Sequence, residues 1–266
     1  MKKILITGGN GFVARNIFEN LNHTYDIDVI TRNDFDLLDT ISVNKFFSDK
    51  FYDVIIHTAI IGGSRLREDA PSLVYDNTLM LYNILDNKKH YRRLINLGSG
   101  AELMYPKTPY GMSKSIIFNI INSLDDHYNL RIFAIFNEDE LETRFIKSNV
   151  LRYLNKEDII IHQNKFMDFF GFADFIKVIK MYIQEQSSNL NKAFDCCYNT
   201  KFTLVDIANI INNLSDYKVS INVTDNEGMG DEYIGEYSTI YNLNYKGLKN
   251  SIEDMFNILK NNSNIS

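Results

Sequence analysis

Three side chains of this 266-residue chain could together move a proton. "YGMSK", Tyr110 to Lys114, sets a phenol and an ammonium four residues apart, a spacing that puts both on one helix face. A nearby cation stabilises phenolate. Free tyrosine has a pKa of about 10, and lowering it by about three units needs about 4 kcal/mol, within reach of a close lysine aided by a second bound cation. Tyr110 would then serve as an acid or base near neutral pH. Upstream, "INLGSG" reads as a strand ending at Ser99, where a hydroxyl at the carboxyl edge of a sheet can hold a substrate oxygen. A Tyr-x-x-x-Lys pair alone reads equally well as a solvated helix face. Its conjunction with Ser99 and a glycine turn is far more specific.

That turn is "KILITGGNGFVA". Ile4-Leu5-Ile6 reads as a buried strand that must turn through Thr7, Gly8, Gly9, Asn10 and Gly11 into a helix starting near Phe12 and Val13. Glycines permit positive φ and close approach of a phosphate, and the helix N-terminus offers free N–H donors and a partial positive charge. A dinucleotide pyrophosphate fits there, with Thr7, Gly8, Asn10, Gly11, Phe12 and Val13 as its cradle. A tight strand–helix turn without ligand is the plainer alternative. Ala14 holds the third small position, where a large side chain would push the helix off the sheet.

The second strand ends "DVITRND". An acid at that tip suits an adenosine 2′-hydroxyl and a cation suits a 2′-phosphate, so Arg32 favours NADP(H), with NAD(H) as the second choice and a solvated arginine as the plain reading. In "DLLD", Leu38 and Asp39 could meet the adenine, or Asp39 could cap a helix.

These residues need elements to position them. Apolar runs alternate with helical patterns: Ile4–Ile6 then Asn10–Asn22, Ile27–Thr31 then Ser42–Lys50, Val54–His57 then Ala70–Asn87, Leu94–Leu97 then Pro109–His127, and Leu130–Phe136. Such alternation predicts βαβ units and a parallel sheet covered on both faces. The expected fold is α/β, a Rossmann-like doubly wound sheet over residues 1–137, with a smaller α+β substrate-binding part over 138–266 and some chain crossing between them. In that part Phe145–Leu154, Ala173–Gln184 and Leu204–Leu214 read as helices and Ile159–His162 as a strand.

Composition narrows the class. A 45% hydrophobic content can bury a large core, and a net charge of −6 without a long basic run argues against a nucleic-acid partner. No apolar run nears the roughly 18 residues of a membrane span, and Met1 leads directly into a strand pattern, so a cytoplasmic protein without membrane partners is expected. The adjacent Cys196 and Cys197 suit neither a disulfide framework nor the usual zinc spacing and read as core thiols; no metal site is expected. His57 lies within a strand and reads as a core histidine.

"TGGNGFVA", Ser99 and "YGMSK" together resemble the extended short-chain dehydrogenase/reductase superfamily, also called the NAD-dependent epimerase/dehydratases, over most of the chain. "VITRNDFDLLD", "DVIIHTAIIGG" and "LINLGSGAELMYPK" are most similar to its GDP-L-fucose synthase-like nucleotide-sugar reductases. The resemblance implies that Ser99, Tyr110 and Lys114 are catalytic and that Thr58 and Ala59 line the nicotinamide side. It further implies that Asn77 supports the active-site helix, that Tyr110 and Lys114 also touch cofactor, and that Lys165 stands in the pyrophosphate-binding region. Asn137, Arg144 and Lys147 are the other substrate-binding candidates. Arg144 and Lys147 could meet a diphosphate or form a surface pair. "EDELE" reads as a solvated turn, and the aromatics of "FMDFFGF" as core.

Two departures matter. The position of the fucose synthases' epimerising cysteine is Ala101, and no histidine occurs between Asn137 and His162. The epimerase acid/base pair is therefore missing. The resemblance implies an NADPH-dependent reductase of a 4-keto nucleotide-linked deoxysugar, serving synthesis of surface-polysaccharide sugars. Two alternatives stay open. One is a 4-epimerase or dehydratase with bound NAD, for which Glu102 is a poorly placed acid. The other is a non-catalytic NADP(H)-sensing protein. The expected partner is the nucleotide-sugar, and a homodimer is one open assembly state.

Overall fold

The computed structural model describes residues 1–64, 67–225, 227–239 and 243–263. In chain order the first elements are β1 (Lys3–Thr7), α1 (Phe12–Leu21), β2 (Asp26–Ile30), α2 (Thr40–Phe47), β3 (Tyr52–His57), α3 (Leu73–Leu85) and β4 (Tyr91–Ser99). They continue with α4 (Ala101–Met104), α5 (Pro109–Asn122), β5 (His127–Ile132), β6 (Ile135–Phe136), α6 (Phe145–Leu154), β7 (Ile159–Gln163), β8 (Phe170–Gly171) and α7 (Phe172–Gln184). The last are β9 (Ala193–Cys196), α8 (Leu204–Asn212), β10 (Ile221–Asp225) and α9 (Leu248–Ser263). The chain divides into two compact units, Met1–Arg131 with Lys180–Phe194, and Ile132–Ile179 with Asp195–Ser266.

The first unit is built on a sheet of order β2-β1-β3-β4-β5-β9. β1 pairs in parallel with both β2 and β3, and β3 with β4. The chain leaves β1 for one side and returns to the other, so the carboxyl ends of β1 and β3 flank a topological switch point, where ligands bind in open α/β sheets. Helices on both faces explain the continuous apolar runs: Ile4, Leu5 and Ile6 are fully buried, each worth about 1.5–3 kcal/mol. One core cluster joins Leu5, Phe47, Tyr52, Leu81, Ile84, Leu94, Ile117 and Ile121. This is the doubly wound α/β fold read from the sequence.

Boundaries differ where local chemistry stops an element. The helical pattern expected to reach His127 ends at Asn122 with Ser123 as its cap, and Asp126 at φ 56° precedes the next strand. His127 instead opens β5, buried against the Tyr91 hydroxyl at 3.0 Å. The single strand expected over Leu130–Phe136 is two, β5 and β6, which fall in different units. β9 returns from the far half of the chain to complete the first unit's sheet, the Asn129 amide donating to the Lys192 carbonyl at 2.8 Å.

In the second unit β7 pairs with β10 and β6 with β8, both in parallel. Tyr153 of α6 stacks on Tyr217 at 4.5 Å and touches Phe256 of α9 at 6.0 Å. Phe169, Phe170 and Phe172 are core side chains. Asp174, fully buried, accepts from the Tyr198 hydroxyl, the Lys177 ammonium and the amides of Lys246 and Gly247, which fixes the approach to α9.

Candidate active site

Thr7 ends β1 and is fully buried. Its hydroxyl oxygen lies 2.9 Å from His57 Nδ1 and accepts from the amides of Thr58 and Ala59 at 3.2 and 3.3 Å, while its carbonyl accepts from Thr58 Oγ1 at 2.6 Å. One side chain thus fixes the ends of β1 and β3 together. Burial pushes His57 down to about 3, with the Lys114 charge adding to the effect, so it is a neutral core imidazole. Gly8 follows at φ +71°, and a Cβ there would stand 2.8 Å from the Ala59 backbone. Only glycine suits that position.

The turn opens on a cavity of about 400 Å³ lined by Gly8, Asn10, Gly11, Ile30, Thr31, Arg32, Phe35, Asp36, Leu37, Thr58, Ala59, Ile60 and Met80. α1 begins at Phe12 after Gly11, with no side-chain cap and no acid in its first turn. Its first N–H groups therefore present a field suited to an anion. Ala14, fully buried, lets α1 pack close. Exposed Arg32 has no ion pair among the described residues. The acids near it are engaged by backbone: Asp34 accepts from the Thr31 amide at 2.8 Å and Asp36 from the Leu38 amide at 3.0 Å.

The cavity takes in part of the expected cofactor set. Asp39 caps α2, accepting from the Ile41 amide at 3.1 Å and Ser42 Oγ at 2.5 Å, and it is Asp36 and Leu37, not Leu38 and Asp39, that line the cavity. Thr7, Phe12, Val13, Asn77, Tyr110 and Lys114 are not among its lining residues. Thr7 positions Thr58 and Ala59, as described, and Asn77 has a parallel task. Asn77 is fully buried, donates to the Ile61 carbonyl and to Ser113 Oγ at 3.0 and 3.1 Å, and accepts from the Ile61 amide at 2.8 Å. It clamps the loop after β3 to α5.

α5 starts at Pro109 after Thr108, whose hydroxyl accepts from the Gly111 amide at 3.1 Å. One turn on, Lys114 is 4% exposed and donates to the Leu97 carbonyl at 2.5 Å, two residues before Ser99. Its ammonium stands 5.8 Å from the Tyr110 ring centroid. The strand ending in Ser99 and the helix carrying Tyr110 are thereby joined. Burial pushes Lys114 down to about 8, the Glu102 charge opposing it, so the side chain remains a cation at neutral pH. Ser99 Oγ accepts from the Ala101 amide at 3.1 Å. Gly63, at φ +74°, lies against the phenol: a Cβ there would come within 2.7 Å of the ring.

Glu102 is 4% exposed and turned inward, accepting from Asn129 Nδ2 at 2.8 Å and from Arg131 Nε. The sequence reading missed that cluster, because its members are 27 and 29 residues apart and carry no local pattern. Gly63 and the cavity residues Phe35, Asp36, Leu37 and Met80 were missed too; of these, the run from Phe35 just past the β2 tip was the legible signal.

In the second unit, Lys147 is turned back onto its own preceding turn. Its ammonium donates to the carbonyls of Glu138 and Glu140 at 2.7 and 2.8 Å. The acidic turn is only partly solvated: Glu140 is 6% exposed and burial pushes its carboxyl up to about 8. Asn137 Oδ1 accepts from the Asp139 amide at 3.1 Å, Arg144 sits exposed before α6, and Lys165 is half-buried with its carbonyl bound by the Leu204 amide. Cys196 and Cys197 are buried free thiols, both raised by burial, Cys197 to about 12.

A family model described as the NAD dependent epimerase/dehydratase family matches residues 4–197. The chain belongs to that family. GDP-L-fucose synthase from Azorhizobium caulinodans is 33% identical over 110 residues, covering 40% of this chain and 35% of that protein, so the chain matches about a third of that relative's length. A GDP-mannoheptose C4 reductase from Campylobacter jejuni with NADP bound superimposes with a TM-score of 0.78 at 16% identity, over 97% of this chain and 98% of that one. A UDP-glucuronic acid 4-epimerase mutant from Bacillus cereus, in complex with a UDP-sugar analogue and NAD, gives 0.74 at 15%, over 97% and 99%. At these identities the structures establish a shared fold. In this epimerase/dehydratase family member, the resemblance read from the glycine turn, Ser99 and "YGMSK" is borne out.

Proposed function

We propose that the protein is an NADPH-dependent reductase of the 4-keto carbon of a nucleotide-linked deoxysugar, of the kind used for surface polysaccharides. One observation carries the reading: a buried ammonium, Lys114, held on the strand that ends in Ser99 and beside the ring of Tyr110. The residues present fit a dinucleotide, since Gly8 leaves room that a Cβ would fill, α1 starts uncapped, and Arg32 borders the cavity. A bound nicotinamide would supply hydride.

The chain's own residues supply the rest. Tyr110 gives its phenolic proton to the ketone oxygen, which becomes the product hydroxyl. Lys114 stabilises the phenolate left behind, and Ser99 donates a hydrogen bond to the same oxygen. The dehydratase alternative loses support because Glu102 is engaged by Asn129 and Arg131. Ala101 and the absence of histidine between Asn137 and His162 weigh against epimerisation by proton transfer at carbon 3 or 5.

Incubation with NADPH and a panel of 4-keto nucleotide-sugars, followed by loss of nicotinamide absorbance, tests the proposal. Turnover is expected with a 4-keto substrate. Absence of turnover across the panel, by folded protein that binds NADPH, would favour the sensing protein.

A further inference from the structure

Lys114 is a buried amine, and its charge state decides whether Tyr110 can be acidic at all. Beside it lies a carboxylate that the chemistry above does not use. α4 is packed tightly on the first turn of α5: a Cβ at Gly111 would stand 1.9 Å from the Tyr105 carbonyl oxygen and 2.8 Å from that of Ala101. Glu102, next to Ala101, therefore stands at the base of the helix that bears Tyr110 and Lys114. Its Oε1 is bound by Asn129 and Arg131, while its buried Oε2 has no hydrogen-bond partner among the described residues. The Arg131 guanidinium lies 4.5 Å from the centroid of Phe118, one turn beyond Lys114 on α5. Asn96 of β4 locks Asn129 at 2.6 Å, on the strand whose Leu97 carbonyl holds the lysine.

We propose that Glu102 is a positioning residue of the active site, a buried carboxylate clamped by Asn129 and Arg131 whose negative charge keeps Lys114 protonated and so sets the acidity of Tyr110. The Lys114 ammonium stands on the Leu97 carbonyl of β4 and by the Tyr110 ring of its own helix, and the ionisable groups coupled to it are His57 of β3, neutral for the reason given above, and Glu102 of α4. Arg131 of β5 pairs with Glu102. An opposite charge close by in a low-dielectric interior favours the charged form, and a like charge disfavours it. The electrostatics of the pair run the same way. Burial pushes Glu102 up to about 7 against the pull of Arg131 and Lys114, and the Glu102 charge raises Lys114 against its burial.

The inference rests on the reading of Tyr110 and Lys114 as the proton-transfer pair, and it is tested apart from that reading. Full-length protein, without cofactor and labelled with carbon-13 at lysine Cε, is titrated by NMR, the Lys114 signal being assigned by its loss in Lys114→Met. Glu102→Gln keeps the hydrogen-bond acceptor and removes the charge, so the Lys114 midpoint should fall by about one pH unit or more. Arg131→Gln removes the cation that helps hold Glu102 ionised, so the midpoint should fall here as well, whereas Glu102→Asp, which keeps the charge, should leave it near wild type. A residue that only packs would not give this order. An unmoved midpoint in folded Glu102→Gln overturns the proposal, and should that variant fail to fold, an unmoved or raised midpoint in Arg131→Gln does so. Turnover by Tyr110→Phe would overturn the catalytic reading while leaving the titration result standing.

Discussion

Gly63 is pressed against the phenol ring of Tyr110, so closely that a single added carbon would stand 2.7 Å from Cε2 and 2.8 Å from Cζ. The loop after β3 thereby sets where the hydroxyl of α5 points, and the Asn77 clamp on Ile61 and Ser113 holds that loop in place. Gly63→Ala would meet both the ring and the strain of a φ of +74°. Displacing the phenol should lower turnover by about 10–100-fold. NADPH affinity, read by fluorescence titration, should change little because the cavity at the Gly8 turn lies among other residues. Full activity in this variant would show that the ring has room to shift without loss.

Arg32 borders that cavity while the nearby acids Asp34 and Asp36 accept from their own turn's amides. Arg32→Ala should therefore weaken NADP(H) by about tenfold to a hundredfold, the scale of a charge-assisted hydrogen bond, and leave NAD(H) nearly unchanged. Isothermal titration with both cofactors measures this. A preference that survives the substitution would place the 2′-phosphate contact elsewhere.

Glu140 gives a pH-dependent stability of definite sign. Its folded carboxyl is raised by burial to about 8, above the unfolded value of about 4.3. The folded state thus binds the extra proton between those values. Stability should fall as pH rises through that window, at up to about 1.4 kcal/mol per pH unit. Glu140→Gln keeps an acceptor for the Lys147 amide, 3.3 Å from Oε1, and should flatten the dependence, exceeding wild type above pH of about 8. Denaturant melts across this pH range measure it; parallel curves for the two proteins would show a carboxylate that ionises at little cost.

What the sequence made legible was whatever has a short-range pattern. Ile4–Ile6, the glycines after it and Tyr110 to Lys114 are encoded within a few residues, and so are α6, read as Phe145–Leu154, and the buried strands. Asp39 shows the limit: an acid before a helix reads as ligand contact or as cap, and it takes the Ile41 and Ser42 hydrogen bonds to show the cap. Glu102 was ambiguous for a different reason. Its role depends on Asn129 and Arg131, brought beside it by β5, and on a cation contributed by α5. The turn holding Glu140 reads as solvated because charge in a turn usually is, and Lys147 as a diphosphate contact or half of a surface pair, yet the ammonium folds back on two carbonyls and the carboxyl is buried. β9 was missed because a four-residue strand with Asp195 in it has little period to detect.

The central claim is that Tyr110 donates the proton and that the buried Lys114 makes it able to. The most direct measurement is the single-turnover rate of NADPH oxidation by Tyr110→Phe with a 4-keto nucleotide-sugar that wild type reduces. Phenylalanine keeps the ring against Gly63 and deletes only the hydroxyl, so fold and NADPH affinity should be retained while the rate falls by about 10²–10⁴-fold. A near wild-type rate in the folded, NADPH-bound variant would contradict the account.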